Sequence, residues 1–178
     1  MVPKIVSLTK YMNSMDYKKG LKPVIGRNAK ILILGSLPGD VSLRKQEYYG
    51  NPRNMFWDVM SGILGEKAPA SYHDKVEFLK RHGIALWDVL RAAEREGSLD
   101  ANIRNEEFND IIGFVSENPS IEVIVTNGGT AEKSFRRYLR QYPAMTEKRI
   151  YHCTSTSAMS LCSGWTLDRL VCQWREIL

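Results

Sequence analysis

Short, wholly apolar runs alternate along the chain with longer stretches in which apolar residues recur every third or fourth position. Ile31-Leu-Ile-Leu34 ends in Gly35 with Pro38-Gly39 as a breaker, and predicts a buried strand. A polar loop runs from Gly39 to Pro52, and Pro52 suits the first turn of a helix. Met55, Phe56, Val59, Met60, Ile63 and Leu64 then repeat at helical spacing until Gly65. A second helix is expected over 71–82 and a second strand over Ile84–Leu90, followed by a polar excursion to about residue 105. Phe108, Ile111, Ile112 and Val115 again have helical spacing, which Pro119 stops. Ile121–Val125 reads as a third strand running into Thr126-Asn127-Gly128-Gly129, with a helix over Ala131–Leu139 behind it. Arg149–His152 is the fourth strand, Cys153–Ser163 a loop, and Leu167, Leu170, Val171, Trp174, Ile177 and Leu178 an amphipathic C-terminal helix. Residues 1–28 show little periodicity and read as an irregular or partly ordered basic N-terminal arm, leaving 29–178 as one domain.

Four apolar strands alternating with helices specify an α/β fold on a mostly parallel sheet. In such folds ligands bind beyond the carboxyl ends of the strands. Four segments follow strand ends here: Gly35–Asn54, Asp88–Asp100, Thr126–Thr130 and Cys153–Ser163. Any active site is expected to be built from them.

Composition narrows the class without naming a function. At 178 residues, 43% hydrophobic and 25% charged, the chain falls among ordinary globular domains and outside disordered or collagenous ones. Cys153, Cys162 and Cys172 form no CxxC pair and match no familiar metal spacing, so reduced thiols without a metal are expected. No run approaches the ~18 apolar residues of a membrane span. Lysines break the N-terminus before a signal-peptide core can form. A soluble protein of the cytoplasm is the expectation. The net charge of +5 is uneven. Residues 1–30 hold seven Lys/Arg against Asp16, and residues 133–149 hold six against Glu147. Such segments suit phosphate contacts or simply a solvated face.

The chemistry lies in two neighbouring motifs. Gly35-Ser-Leu-Pro-Gly39 follows a buried strand but lacks phosphate-loop spacing. Tyr48-Tyr-Gly-Asn-Pro-Arg-Asn-Met-Phe-Trp57 follows it. Together the two resemble the uracil-DNA glycosylase superfamily, nearest its hypoxanthine-DNA glycosylase (DNA-deoxyinosine glycosylase) branch. Ser42-Leu43, Trp87–Leu90, Gly97–Asp100, Asn127–Gly129 and Ser155–Ser157 extend the resemblance over about residues 29–178. It implies a three-layer α/β/α sandwich around a four-stranded sheet. The implied activity is monofunctional, cofactor-free hydrolysis of the N-glycosidic bond of a deaminated base in DNA, by a monomer. Hypoxanthine is the base expected.

The same resemblance distributes roles. Uracil-specific branches handle water with a polar residue in the first loop, where this chain has Leu37, so another residue must do it. The resemblance points to Asn54, whose amide could hold water or stabilise the leaving base; Asn54 could equally satisfy backbone groups near a helix start. Gly35, Ser36, Leu37, Pro38, Tyr49 and Asp88 are the expected base-binding residues, Tyr49 by stacking and Asp88 by accepting from a base N–H. For Asp88 a loop or cap role stays open. Ser155, Thr156, Ser157 and Arg53 are the expected DNA contacts. The last loop departs from the family pattern, with Thr154 and Ala158 where prolines are usual. His152 precedes the position where uracil glycosylases carry a histidine, which Cys153 occupies. A non-catalytic reader of damaged nucleic acid, or a nucleotide binder on a similar sheet, would also suit these residues.

Overall fold

A computed structural model describes residues 16–143 and 147–178. Its strands are β1 (Tyr17–Lys19), β2 (Ile31–Gly35), β3 (Ile84–Asp88), β4 (Leu90–Glu94), β5 (Arg104–Phe108), β6 (Val123–Asn127) and β7 (Arg149–Cys153). The helices are α1 (Asp40–Lys45), α2 (Phe56–Leu64), α3 (Tyr72–Arg81), α4 (Ile111–Glu117), α5 (Gly129–Gln141), α6 (Ala158–Cys162) and α7 (Leu167–Arg175). The central sheet has the order β3-β2-β6-β7, and every pair in it is parallel. This is the expected four-stranded α/β/α sandwich.

Alternation along β2 divides the core between the two faces of the sheet. Leu32 and Leu34 pack with Ile111 and Val115 of α4 and with Phe135 and Tyr138 of α5. Ile33 packs on the opposite face with Phe56, Val59 and Met60 of α2, Phe78 and Leu79 of α3, and Leu170 and Trp174 of α7. Both faces are covered, so the strands read as continuous apolar runs.

Three expectations are corrected. The second strand does not run to Leu90: β3 stops at Asp88, and β4 joins an antiparallel sheet of order β1-β4-β5. The polar excursion therefore begins and ends in strand. Leu-Arg-Ala-Ala-Glu and Arg-Asn-Glu-Glu-Phe carry little β propensity, and cross-strand pairing overrides it. Phe108 accordingly ends β5, and the next helix starts at Ile111. Finally, the fold begins before residue 29. Residues 17–19 form β1, Val24 bridges to Leu86, and Lys18 is 8% exposed, with its ammonium bonded to Asp40 and to the Gly97 carbonyl. Residues 1–15 of the expected arm lie outside the described residues.

Candidate active site

The carboxyl ends of β2, β3, β6 and β7 open onto a cavity of about 910 Å³. All four expected loops line it, bringing together Gly35–Pro38, Tyr49, Asn54, Asp88, Asn127, Ser155 and Ser157. Arg53 is exposed beside Asn54 but does not line the cavity.

Asn54 is held by a network spanning three loops. Its Oδ1 accepts from the Phe56 N–H at 3.0 Å and from the Thr156 hydroxyl at 2.9 Å. A backbone N–H can only donate, so that atom must be the amide oxygen. The Nδ2 group is left without a hydrogen-bond partner among the described residues, on a residue that lines the cavity. Asn127 braces the arrangement by donating from Nδ2 to Thr156 Oγ1 and to the Tyr49 hydroxyl, each at 3.0 Å. Its Oδ1 accepts from the Thr156 N–H at 2.9 Å. Thr156 is fully buried, and its carbonyl accepts from the Met55 N–H. Its polar atoms are thus spent inside the protein, while Ser155 and Ser157 remain half-exposed at the cavity. Gly128, with φ of +101°, lets this last loop come close: a Cβ there would lie 2.7 Å from Ser155 Cβ.

Tyr49 stacks on Phe56, with ring centroids 3.8 Å apart and planes inclined by 13°. Its φ of +54° is unusual for a bulky residue and turns the ring toward the cavity wall. Tyr48 is buried beneath it and donates its N–H to the Tyr72 hydroxyl. Phe56 and Trp57 are core residues.

The first loop is held from behind by charged groups. Arg95 has no exposed surface; its guanidinium donates to the carbonyls of Leu37 (3.1 Å) and Pro38 and lies 3.6 Å from Asp100 Oδ1. Asp100 Oδ2 accepts from the Ser36 hydroxyl at 2.9 Å, and Ser98 Oγ accepts from the Asp40 N–H at 2.9 Å. Burial pushes the Asp100 carboxyl up, against the Ser36 bond and the Arg95 charge. Asp88 is 4% exposed, and burial pushes its carboxyl up to about 7, with Tyr48 and Arg95 opposing and Asp100 adding. Gly35 makes room for it, since a Cβ there would collide with Asp88 Oδ1.

His152 also lines the cavity. Its Nδ1 is 2.7 Å from Thr126 Oγ1, and burial lowers its pKa, against the nearby Glu132 charge. Cys153 is buried with its thiol pushed up to about 12, far from thiolate chemistry at neutral pH.

Among the described residues the basic segments are not arranged as one phosphate-binding face. Lys18 is buried, and Lys30 pairs with Glu122 at the amino ends of the strands. Lys148 and Arg149 lie at that same end, opposite the cavity. Within α5, Arg136 pairs with Glu132 and Arg137 with Glu106, whereas Lys133 is exposed one turn from the cavity end. The charged cavity residues are Asp40, Asp88, Asp100 and Glu132. Arg95, Asp100 and Asn127 received no role from the sequence, and Lys18, counted there among the basic residues suited to phosphate contacts, is instead buried. Asp100 and Asn127 stood in visible motifs, but nothing near Arg95 marks it as buried.

A parallel α/β sheet with a cavity of this size at its carboxyl edge, lined by apolar and polar side chains, belongs to the class of folds that bind nucleotides or their bases there. Comparison with known proteins identifies the family. The model of the uracil DNA glycosylase superfamily matches residues 23–173, and the chain belongs to that superfamily. A hypoxanthine DNA glycosylase of Methanosarcina barkeri (strain Fusaro / DSM 804) is 46% identical over 112 residues, 62% of this chain and 71% of that protein. A hypoxanthine DNA glycosylase of Methanosarcina acetivorans is 46% identical over 115 residues, 64% and 73% of the two chains. The solution NMR structure of a candidate uracil DNA glycosylase from Methanosarcina acetivorans superposes with a TM-score of 0.76 at 35% identity, covering 91% of this chain and 99% of that one. No helix among the described residues is long and apolar enough to cross a membrane.

Proposed function

We propose that this protein is a monofunctional DNA glycosylase that flips a deaminated base, hypoxanthine of deoxyinosine, out of DNA and hydrolyses its N-glycosidic bond. The observation that carries the reading is the Asn54 amide, locked at its oxygen with its NH2 group unpartnered in a cavity large enough for a purine. Both relatives named above as hypoxanthine DNA glycosylases support the choice of base.

In this reading the flipped base enters between the strand ends and stacks on Tyr49, whose ring is fixed from the other side by Phe56. The first loop, Gly35 to Pro38, supplies backbone groups and the Ser36 hydroxyl along one base edge, with Asp88 beneath. Asn54 Nδ2 donates to the attacking water or to charge gathering on the leaving base. It cannot accept a proton, so its contribution is orientation and electrostatic stabilisation. The Thr156 hydroxyl, donating to Asn54 Oδ1, polarises the amide and strengthens that donor. No lysine lines the cavity among the described residues, so water is the nucleophile these groups can serve. Ser155, Ser157 and Arg53 contact phosphates at the mouth, and the enzyme acts as a monomer in a compartment that holds DNA.

Oligonucleotides carrying one deoxyinosine or one deoxyuridine test this by release of free base under single-turnover conditions. Hypoxanthine release is expected, falling by about 10²- to 10³-fold in Asn54→Ala. Binding of the lesion without release would make the protein a non-catalytic reader instead.

A further inference from the structure

Asp88 ends β3 in the cavity wall, and its Oδ2 meets no hydrogen-bond donor among the described residues. Its other oxygen lies against Gly35 of β2. The groups facing the carboxyl are the phenols of Tyr48 and Tyr49 from the segment before α2, Arg95 at the end of β4, and Asp100 from the turn at residues 100–102. Arg95 is committed to the Leu37 and Pro38 carbonyls and to Asp100, so Asp88 has no cation of its own. The Tyr48 hydroxyl is the one donor beside the carboxyl, and the buried Oδ2 that it does not satisfy is best served by carrying the hydrogen itself. The pKa near 7 agrees, and a bound base that displaces water would favour the neutral acid further.

We propose that Asp88 is a catalytic proton donor to the leaving purine, not the N–H acceptor that the sequence suggests. The inference rests on the glycosylase reading above. The Asp88 carboxylic acid, in the cavity wall, gives its proton to N7 of the flipped hypoxanthine as the C1′–N9 bond breaks. The electron pair of that bond goes to N9, and the base leaves neutral. Water adds to C1′ through its oxygen and loses one proton to solvent, from which Asp88 is reprotonated. Uracil has no N7, so this donor favours a deaminated purine over a deaminated pyrimidine. Asp88 is thereby a determinant of specificity as well as rate.

The test is single-turnover release from oligonucleotides carrying deoxyinosine, 7-deazadeoxyinosine or deoxyuridine, over a range of about pH 5 to 9. The wild-type rate on deoxyinosine should be level below about pH 7 and fall tenfold per unit above it. Asp88→Asn should be about 10²-fold slower at pH 6, with a level profile and a reduced preference for deoxyinosine over deoxyuridine. The 7-deaza substrate should slow the wild type to the rate of Asp88→Asn and slow the variant no further. It needs no variant, so it decides the matter even if Asp88→Asn folds poorly. A wild-type rate that climbs through pH 7, an unimpaired Asp88→Asn, or rapid 7-deaza release would overturn the donor role while leaving the glycosylase reading intact. No hypoxanthine release by the wild type at any pH would remove both.

Discussion

Thr156→Val separates a positioning role from a DNA contact. Valine keeps the shape of the fully buried threonine but removes a hydroxyl that donates to Asn54 Oδ1 at 2.9 Å and accepts from Asn127 Nδ2 at 3.0 Å. Asn54 Oδ1 keeps the Phe56 N–H and Asn127 keeps its bond to the Tyr49 hydroxyl, so a single N–H of Asn127 is left without an acceptor. The cost in stability is therefore about 1–2 kcal/mol, at the lower end for buried hydrogen bonds. The effect on rate should be larger than that on binding. The Asn54 amide loses one of the two contacts that fix its plane, and a misplacement of about 1 Å can cost on the order of 10²-fold. Urea denaturation should thus report a small loss, and single-turnover hypoxanthine release a fall of about 10- to 10²-fold, with lesion affinity within about threefold of wild type. A rate within about threefold of wild type would refute the argument. So would a loss of affinity as large as the loss of rate, which would make Thr156 a DNA contact after all.

The other expectations concern the first loop and its charges. Arg95→Met leaves Asp100 and two loop carbonyls without their buried partner and should cost about 3–5 kcal/mol in urea denaturation, with Arg95→Lys recovering part of it. Gly35→Ala should lose about 1–3 kcal/mol and most activity through the collision with Asp88, whereas Gly39→Ala, 3.5 Å from Ser98, should be tolerated. Asp88 binds its proton more tightly in the folded chain than in the unfolded one. The wild type should therefore lose stability as pH rises from about 4 through about 7. Asp88→Asn should flatten that decline and raise Tm at pH 8 by several degrees, measured by thermal melts in parallel buffers.

The four strands of the parallel sheet, most of the helices and the four loops around the cavity were legible in the sequence, because burial on both faces makes such strands unbroken apolar runs that turn residues delimit. Asn54, Asp88 and the first loop were legible from their motifs. The antiparallel sheet was not, since β4 and β5 owe their conformation to pairing with each other and with β1. The placement of the basic residues was equally hidden: a charge run in sequence says nothing about which end of a sheet each cation reaches. Lys148, Arg149 and Lys30 went to the end away from the cavity, and Lys18 went inside.

The sequence by itself thus determined the α/β architecture, the loops that gather around the cavity and the residues that carry the resemblance. Those depend on local periodicity and on short stretches of chain. The tertiary structure alone decided that Asn54 presents only a donor, that Thr156 stands behind it, that Arg95 shapes the first loop from a dry interior, and that Asp88 lacks a partner for Oδ2. Each of these is a relation between loops up to about a hundred residues apart, and the chemistry of a buried amide, guanidinium or carboxyl follows from what faces it after folding.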